Sequence, residues 1–156
     1  MTPDPTIDAF RDVLGESLDE IRRGVAGLTV EQLNTAPAGG DTNSIAVIVT
    51  HALSASLSWL TLAMGAPLPP RDRDAEFRTV ADTGFAAWTE DMIGRCLAVL
   101  DTGPWDPSRM GTPDWSPRLA EEPQTAAYAA AHALAHLGEH VGHLHMTREL
   151  LDEGTR

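Results

Sequence analysis

Lysine is absent from this chain of 156 residues, and its eleven basic side chains, all arginine, face 23 acidic ones. A net charge of −12, with no basic run anywhere, argues against nucleic-acid partners, which are held by clusters of Lys or Arg on the phosphates. Cysteine occurs once, at Cys96, so no internal disulfide can form and a reducing compartment, the cytoplasm, is the expected address. That thiol lies in the apolar run GRCLAVL, the setting of a buried structural cysteine and not of a nucleophile. The opening MTPDPTIDAF has neither a basic start nor an apolar run, so no leader peptide is expected. Strand-like alternation, internal repeats and low-complexity tracts are missing as well. The exclusive use of arginine, in an alanine-rich chain, hints at a GC-rich genome of origin.

One stretch, 45–64 (IAVIVTHALSASLSWLTLAM), is apolar and long enough to span a bilayer. It carries His51, Ser54, Ser56 and Ser58, so it reads as a buried helix of a compact fold, with no membrane partner. An apolar fraction of 42% is ordinary for a globular protein, and the length fits a single domain, 1–156, that buries roughly two-thirds of its unfolded surface.

What is present reads as helix. Residues 5–26 open on Pro and Asp capping signals, and Ile7, Phe10, Val13, Leu14, Leu18, Ile21 and Val25 then recur at helical spacing up to Gly27. In LTVEQLNTAP, Thr29 stands three residues ahead of Gln32, the pattern of a capping box that starts a short turn. GGDTNS is a loop whose Asn43 or Ser44 caps the second long helix, which runs to about Met64 before GAPLPPRDRD breaks it. A third helix is expected from about Gly84 to Asp101, with Trp88 and, in the second helix, Trp59 at core spacing. A fourth is expected from near Pro123 to about Asp152. Between these last two lies a long Pro- and Gly-rich loop, TGPWDPSRMGTPDWSPRLAEEP, and loops of this length are functional or disordered. Its Trp105 and Trp115 favour an ordered loop. The fold class is therefore all-α, a four-helix bundle.

Five of the six histidines fall in AHALAHLGEHVGHLH, residues 131–145. With His132 as zero, an α-helix places His136 at about 40°, His140 at about 80°, His143 at about 20° and His145 at about 220°. The first four form a stripe that borders the apolar face of Leu134, Leu137, Val141 and Leu144. The i, i+4 spacing occurs twice, and His51 lies inside an apolar run where an unpaired imidazole would be costly to bury. Two ligands from one helix and a third from a facing helix is how a bundle builds a metal site, and three ligands with an open position is the catalytic arrangement. Spacing alone leaves His132/His136, His136/His140 and His140/His143 equally open.

The stretches NSIAVIVTHALSASLSWL (43–60) and AHLGEHVGHLHMTRELLDE (135–153) resemble the DinB-like superfamily of four-helix metalloproteins, and the segments LTVEQLNTAP (28–37) and RDRDAEF (71–77) are similar to it as well. The resemblance covers nearly the whole chain and is nearest to the branch of mycothiol-dependent maleylpyruvate isomerase and thiol S-transferases. It implies a metal triad of one His on the second helix and an H-x-x-x-H pair on the last, here His51, His136 and His140. It also implies an up-down-down-up bundle with a long crossover after helix 2, for which GAPLPPRDRDAEFRTVADTG is long enough. His143 would then be a supporting or core residue. The isomerase branch has Glu where this chain has His136, which points away from that specific reaction.

The cofactors implied are a divalent metal ion and a low-molecular-weight thiol of the mycothiol type. Zinc is the default ion, and nickel or ferrous iron also suit imidazole. The partners are a small-molecule thiol and an electrophilic substrate, in a homodimer as is common among similar proteins. The function expected is metal-dependent thiol transfer or isomerisation; the alternatives are a non-enzymatic metal-binding stress, sensor or dimerisation bundle, and a metal-dependent hydrolase. Asn43 matches a recurrent Asn of the superfamily, and its capping role explains it sufficiently. Arg71, Arg73 and Arg78 are placed to reach a cofactor carboxylate, although solvated surface arginines are the simpler reading. Trp105 and Trp115 would either cover the open coordination position or pack on the end of the bundle.

Overall fold

The structure, a computed structural model, describes residues 4–37, 42–68 and 70–154. It is mostly helical. Helix α1 (Pro5–Val25) starts where the Asp4 carboxylate accepts the Thr6 N–H and Pro5 occupies the first turn. It buries Leu14, Leu18, Ile21 and Gly24, one stripe at spacings of three and four. Gly27, at φ +75°, turns the chain out of it. Helix α2 (Val30–Asn34) is built on the Thr29–Gln32 capping box, with both reciprocal hydrogen bonds formed.

Helix α3 (Ile45–Met64) is the centre of the molecule: of its twenty residues only Ser54 is not buried. Ser44 caps it, its hydroxyl accepting the Val47 N–H at 3.3 Å, and Gly65 ends it at φ +65°. The cap is thus Ser44 and not Asn43. By length and composition this helix could cross a membrane, yet 94% of its apolar window is buried by the rest of the fold. Of the loop before it, residues 39–41 lie outside the described residues, as do the first three residues of the chain.

The crossover after α3 contains a turn of helix that the sequence pattern did not announce, α4 (Arg73–Glu76), capped by Asp72 on the Ala75 N–H. Two hydrogen bonds between the Asn34 side chain and the backbone of Ala81, at 2.7 and 2.9 Å, pin this crossover to α2. Helix α5 (Phe85–Ala98) follows and tightens into a 3-10 turn over Val99–Asp101. The long loop then closes on itself through a two-residue antiparallel ladder, β1 (Met110–Gly111) with β2 (Gln124–Thr125). No strand was expected. Pairing Gln124 and Thr125 delays the last helix, α6 (Ala126–Gly154), past its expected start near Pro123. Arg109 fastens the loop to the end of α3 by donating to the Ala63 and Pro104 carbonyls.

Helices α1 and α3 each pack against both α5 and α6, and α3 makes its most extensive contact with α6. The core between them holds Leu14, Leu18, Leu53, Leu60, Ile93, Leu137 and Leu144, all fully buried. Cys96 belongs to it, and burial pushes its thiol up to about 12, which removes it as a nucleophile. The α3–α6 contact is what brings the histidines together.

Candidate metal centre

His51 sits in the second turn of α3, on the side that meets α6, and is buried. Its Nδ1 is 2.8 Å from Glu76 Oε2, and Glu76 is itself buried in α4. Arg71 completes the group, donating from Nε to Oε1 at 2.7 Å and from Nη2 to Oε2 at 3.0 Å. Burial pushes the Glu76 carboxyl up, but the His51 ring and the Arg71 guanidinium outweigh it and hold its pKa below the ordinary value. Glu76 is therefore a carboxylate that can only accept. Facing such an acceptor, Nδ1 of His51 is the donor of this contact, and Nε2 is the ring nitrogen left for another partner.

His136 and His140 lie one turn apart on α6, facing α3. Their Nε2 atoms are 3.3 Å apart, and the ring centroids of His51 lie 5.1 Å from His136 and 4.9 Å from His140. One ring nitrogen from each of the three residues falls within 4.8 Å of the others. Burial pushes His136 down to about 3, helped by His140, His51, His132 and Arg71. Burial likewise pushes His140 down to about 4, with His51 and His143 adding to it. Both are neutral at pH 7, the form that ligates metal. Their Nδ1 atoms are buried without a hydrogen-bond partner among the described residues.

This donor set fits a divalent ion. Two nitrogens each about 2.05 Å from a tetrahedral ion stand about 3.3 Å apart, which is the Nε2 separation found here. The Glu76–His51 contact is the carboxylate–imidazole pairing that orients a ligating histidine and fixes its tautomer. All-imidazole ligation suits zinc, nickel or ferrous iron.

The other histidines stand apart from the cluster. His132, one turn earlier on α6, leans on Trp59 with ring centroids 4.4 Å apart and stacks on Tyr128. His143 is exposed beside His140, 5.5 Å between centroids, so it is not a core residue. His145 points the other way, its Nε2 3.0 Å from Glu20 Oε2 on α1.

Two cavities reach the cluster from different sides. One, of about 340 Å³, touches His51 and His140 and has mostly apolar walls of Val47, Ile48, Phe77, Met146 and Leu150, with Asn43 at its edge. The other, of about 320 Å³, touches His51 and His136 and is lined by arginines and tryptophans. A third, of about 280 Å³, lies beyond the Arg71–Glu76 pair and meets none of the three histidines. Of the arginines singled out in the sequence, Arg71 is committed to Glu76, Arg73 lines the polar cavity, and Arg78 lines neither cavity at the histidines. Trp115 is on the wall of the polar cavity, edge-on to Trp59 at 5.6 Å, whereas Trp105 packs on the core away from it. Glu76 and Arg118 escaped the sequence reading. For Glu76 a signal existed: a buried His51 requires an acceptor, and RDRDAEF holds the acidic residues that follow α3 most closely.

A family model of mycothiol S-transferases matches residues 9–153. The chain belongs to the mycothiol S-transferase family. This is a DinB-like family, in keeping with the resemblance drawn from residues 43–60 and 135–153. Among solved structures, a conserved protein from Enterococcus faecalis matches this mycothiol S-transferase family member with a TM-score of 0.69 and 16% identity. The match covers 94% of this chain and 96% of that one, and at such identity the likeness is one of fold alone. No curated protein matches the chain significantly.

Proposed function

We propose that this member of the mycothiol S-transferase family is a metal-dependent thiol S-transferase, or an isomerase working through thiol addition, in which His51, His136 and His140 hold a divalent cation. The observation that carries the reading is the convergence of three imidazole nitrogens from α3 and α6 within 4.8 Å, with His51 turned by Glu76. When bound, such a cation favours the deprotonated form of a thiol at neutral pH. The chain's own residues do the rest. Glu76 and Arg71 hold the His51 ring in one tautomer, and burial keeps His136 and His140 unprotonated. The walls of the 340 Å³ cavity that reaches His51 and His140 are mostly apolar. Transfer forms a carbon–sulfur bond at the electrophilic carbon, the displaced group leaves with its electron pair, and the thiol proton passes to solvent.

In this reading the four long helices form an up-down-down-up bundle, one domain over 1–156, with the crossover after α3 delivering Arg71 and Glu76. Zinc is the expected ion and the cytoplasm the expected compartment. A metal sealed off by side chains would favour a structural role instead; the two cavities that reach the histidines support catalysis.

Metal analysis of the purified protein beside His51→Ala and His140→Ala tests the reading. Stoichiometric metal in wild type, lost from both variants while far-UV circular dichroism is retained, is the expected result. Metal retained in both variants would overturn it.

A further inference from the structure

The polar cavity has a composition at odds with the rest of the chain. Acidic residues outnumber arginines 23 to 11, yet Arg71, Arg73 and Arg118 line this cavity and no Asp or Glu does. The Arg71 charge is taken up by Glu76. Arg73 and Arg118 form no ion pair among the described residues. Arg73 is held with its guanidinium carbon 4.9 Å above the Phe77 ring, and that ring lies 4.7 Å from the His51 ring, so one free cation is fixed close to the cluster. Arg118 comes from the long loop, with Ser116 lining the cavity beside it. Trp115, on the same wall, has a buried Nε1–H without an acceptor among the described residues. The cavity thus collects two uncompensated guanidinium groups and a hydroxyl, in a volume suited to a small organic molecule. The apolar cavity on the other side of the histidines offers no charge of this kind.

We propose that Arg73 and Arg118 form an anion-binding subsite that takes a carboxylate-class oxyanion of the electrophilic reactant and so places that reactant beside His51 and His136. The inference rests on the reading of the three histidines as the reaction centre.

The test compares benzoate with benzamide, titrated into the purified protein of recorded metal content and followed by fluorescence of the cavity-wall tryptophans. Benzoate is expected to bind more tightly, and Arg73→Gln with Arg118→Gln should remove roughly a tenfold to hundredfold preference while leaving metal content and benzamide binding unchanged. No preference in wild type overturns the subsite. So does a preference that survives in the double variant, as it would if the carboxylate simply coordinated the ion. Mycothiol turnover with iodoacetate and iodoacetamide, in which the sulfur displaces iodide, then tests the assignment to the electrophile. A rise in KM for iodoacetate alone assigns the subsite to the electrophile, and an equal rise with both reagents would show that the two arginines do not read the carboxylate and would overturn it. Absence of turnover with any electrophile, with the benzoate preference intact, would overturn the proposed function and leave the subsite standing.

Discussion

A buried imidazole needs an acceptor for its ring N–H, and His51 obtains one from a carboxylate that is itself held by a buried guanidinium. None of these three groups could be buried alone, because each would lose its hydration without replacement. Glu76→Gln keeps the size of the side chain but removes the charge that fixes the His51 tautomer. Metal affinity is expected to fall about tenfold to hundredfold, measured by competition with a chromophoric chelator. Wild-type affinity in this variant would mean that Glu76 only supports the fold. Glu76→Ala is the harsher change, since it strands the Arg71 charge in the interior, and about 3–5 kcal/mol of stability is expected to go in chemical denaturation.

At the scale of the element, the register between helices decides the geometry of the centre. Helix α6 supplies ligands one turn apart, but their meeting with His51 depends on how closely α6 can approach its neighbours. Gly24 on α1 is one such point of approach: a Cβ there would run into the Leu144 side chain, standing 2.6 Å from its Cγ. Gly24→Ala is expected to destabilise the protein by about 1–3 kcal/mol through overpacking, although alanine is the better helix former. Adding Leu144→Ala should make the two effects strongly non-additive in a double-mutant cycle of thermal unfolding; simple additivity would show that the helices do not touch there. Helices α1 and α3 were legible in the sequence because both have local start and stop signals: Asp4 and Pro5 with Gly27 for the first, Ser44 with Gly65 for the second. The α4 turn and the β1–β2 ladder were not, because elements of two to four residues have no periodicity to read and exist only through their partners.

For the whole molecule, the half-buried neutral histidines of α6 couple folding to pH. His136 and His140 have folded pKa values of about 3 and about 4, against about 6.5 in an unfolded chain, so on acidification the unfolded state takes up protons first. Their contribution is whole above about pH 6.5 and declines progressively as pH falls toward the folded values. The lowered carboxyl of Glu76 acts in the same sense, its contribution being lost as pH falls through its own folded value. Metal-stripped protein should therefore show a falling Tm from about pH 7 to about pH 5, and the double variant His136→Gln/His140→Gln a flatter curve. Parallel curves would remove the two imidazoles as the cause.

By itself the sequence determined the helical class, the extent of α1 and the stripe of histidines on one face of the last helix, because 3.6-residue periodicity and capping act over a few neighbouring residues. It also held the resemblance that pointed to His51, His136 and His140. The tertiary structure decided the rest: which pair on α6 faces His51, that Glu76 and Arg71 rather than water satisfy that ring, and that Arg73 and Arg118 come to one cavity from segments 45 residues apart. Those are contacts between distant parts of the chain, and they are set by how the helices pack, which no local pattern encodes.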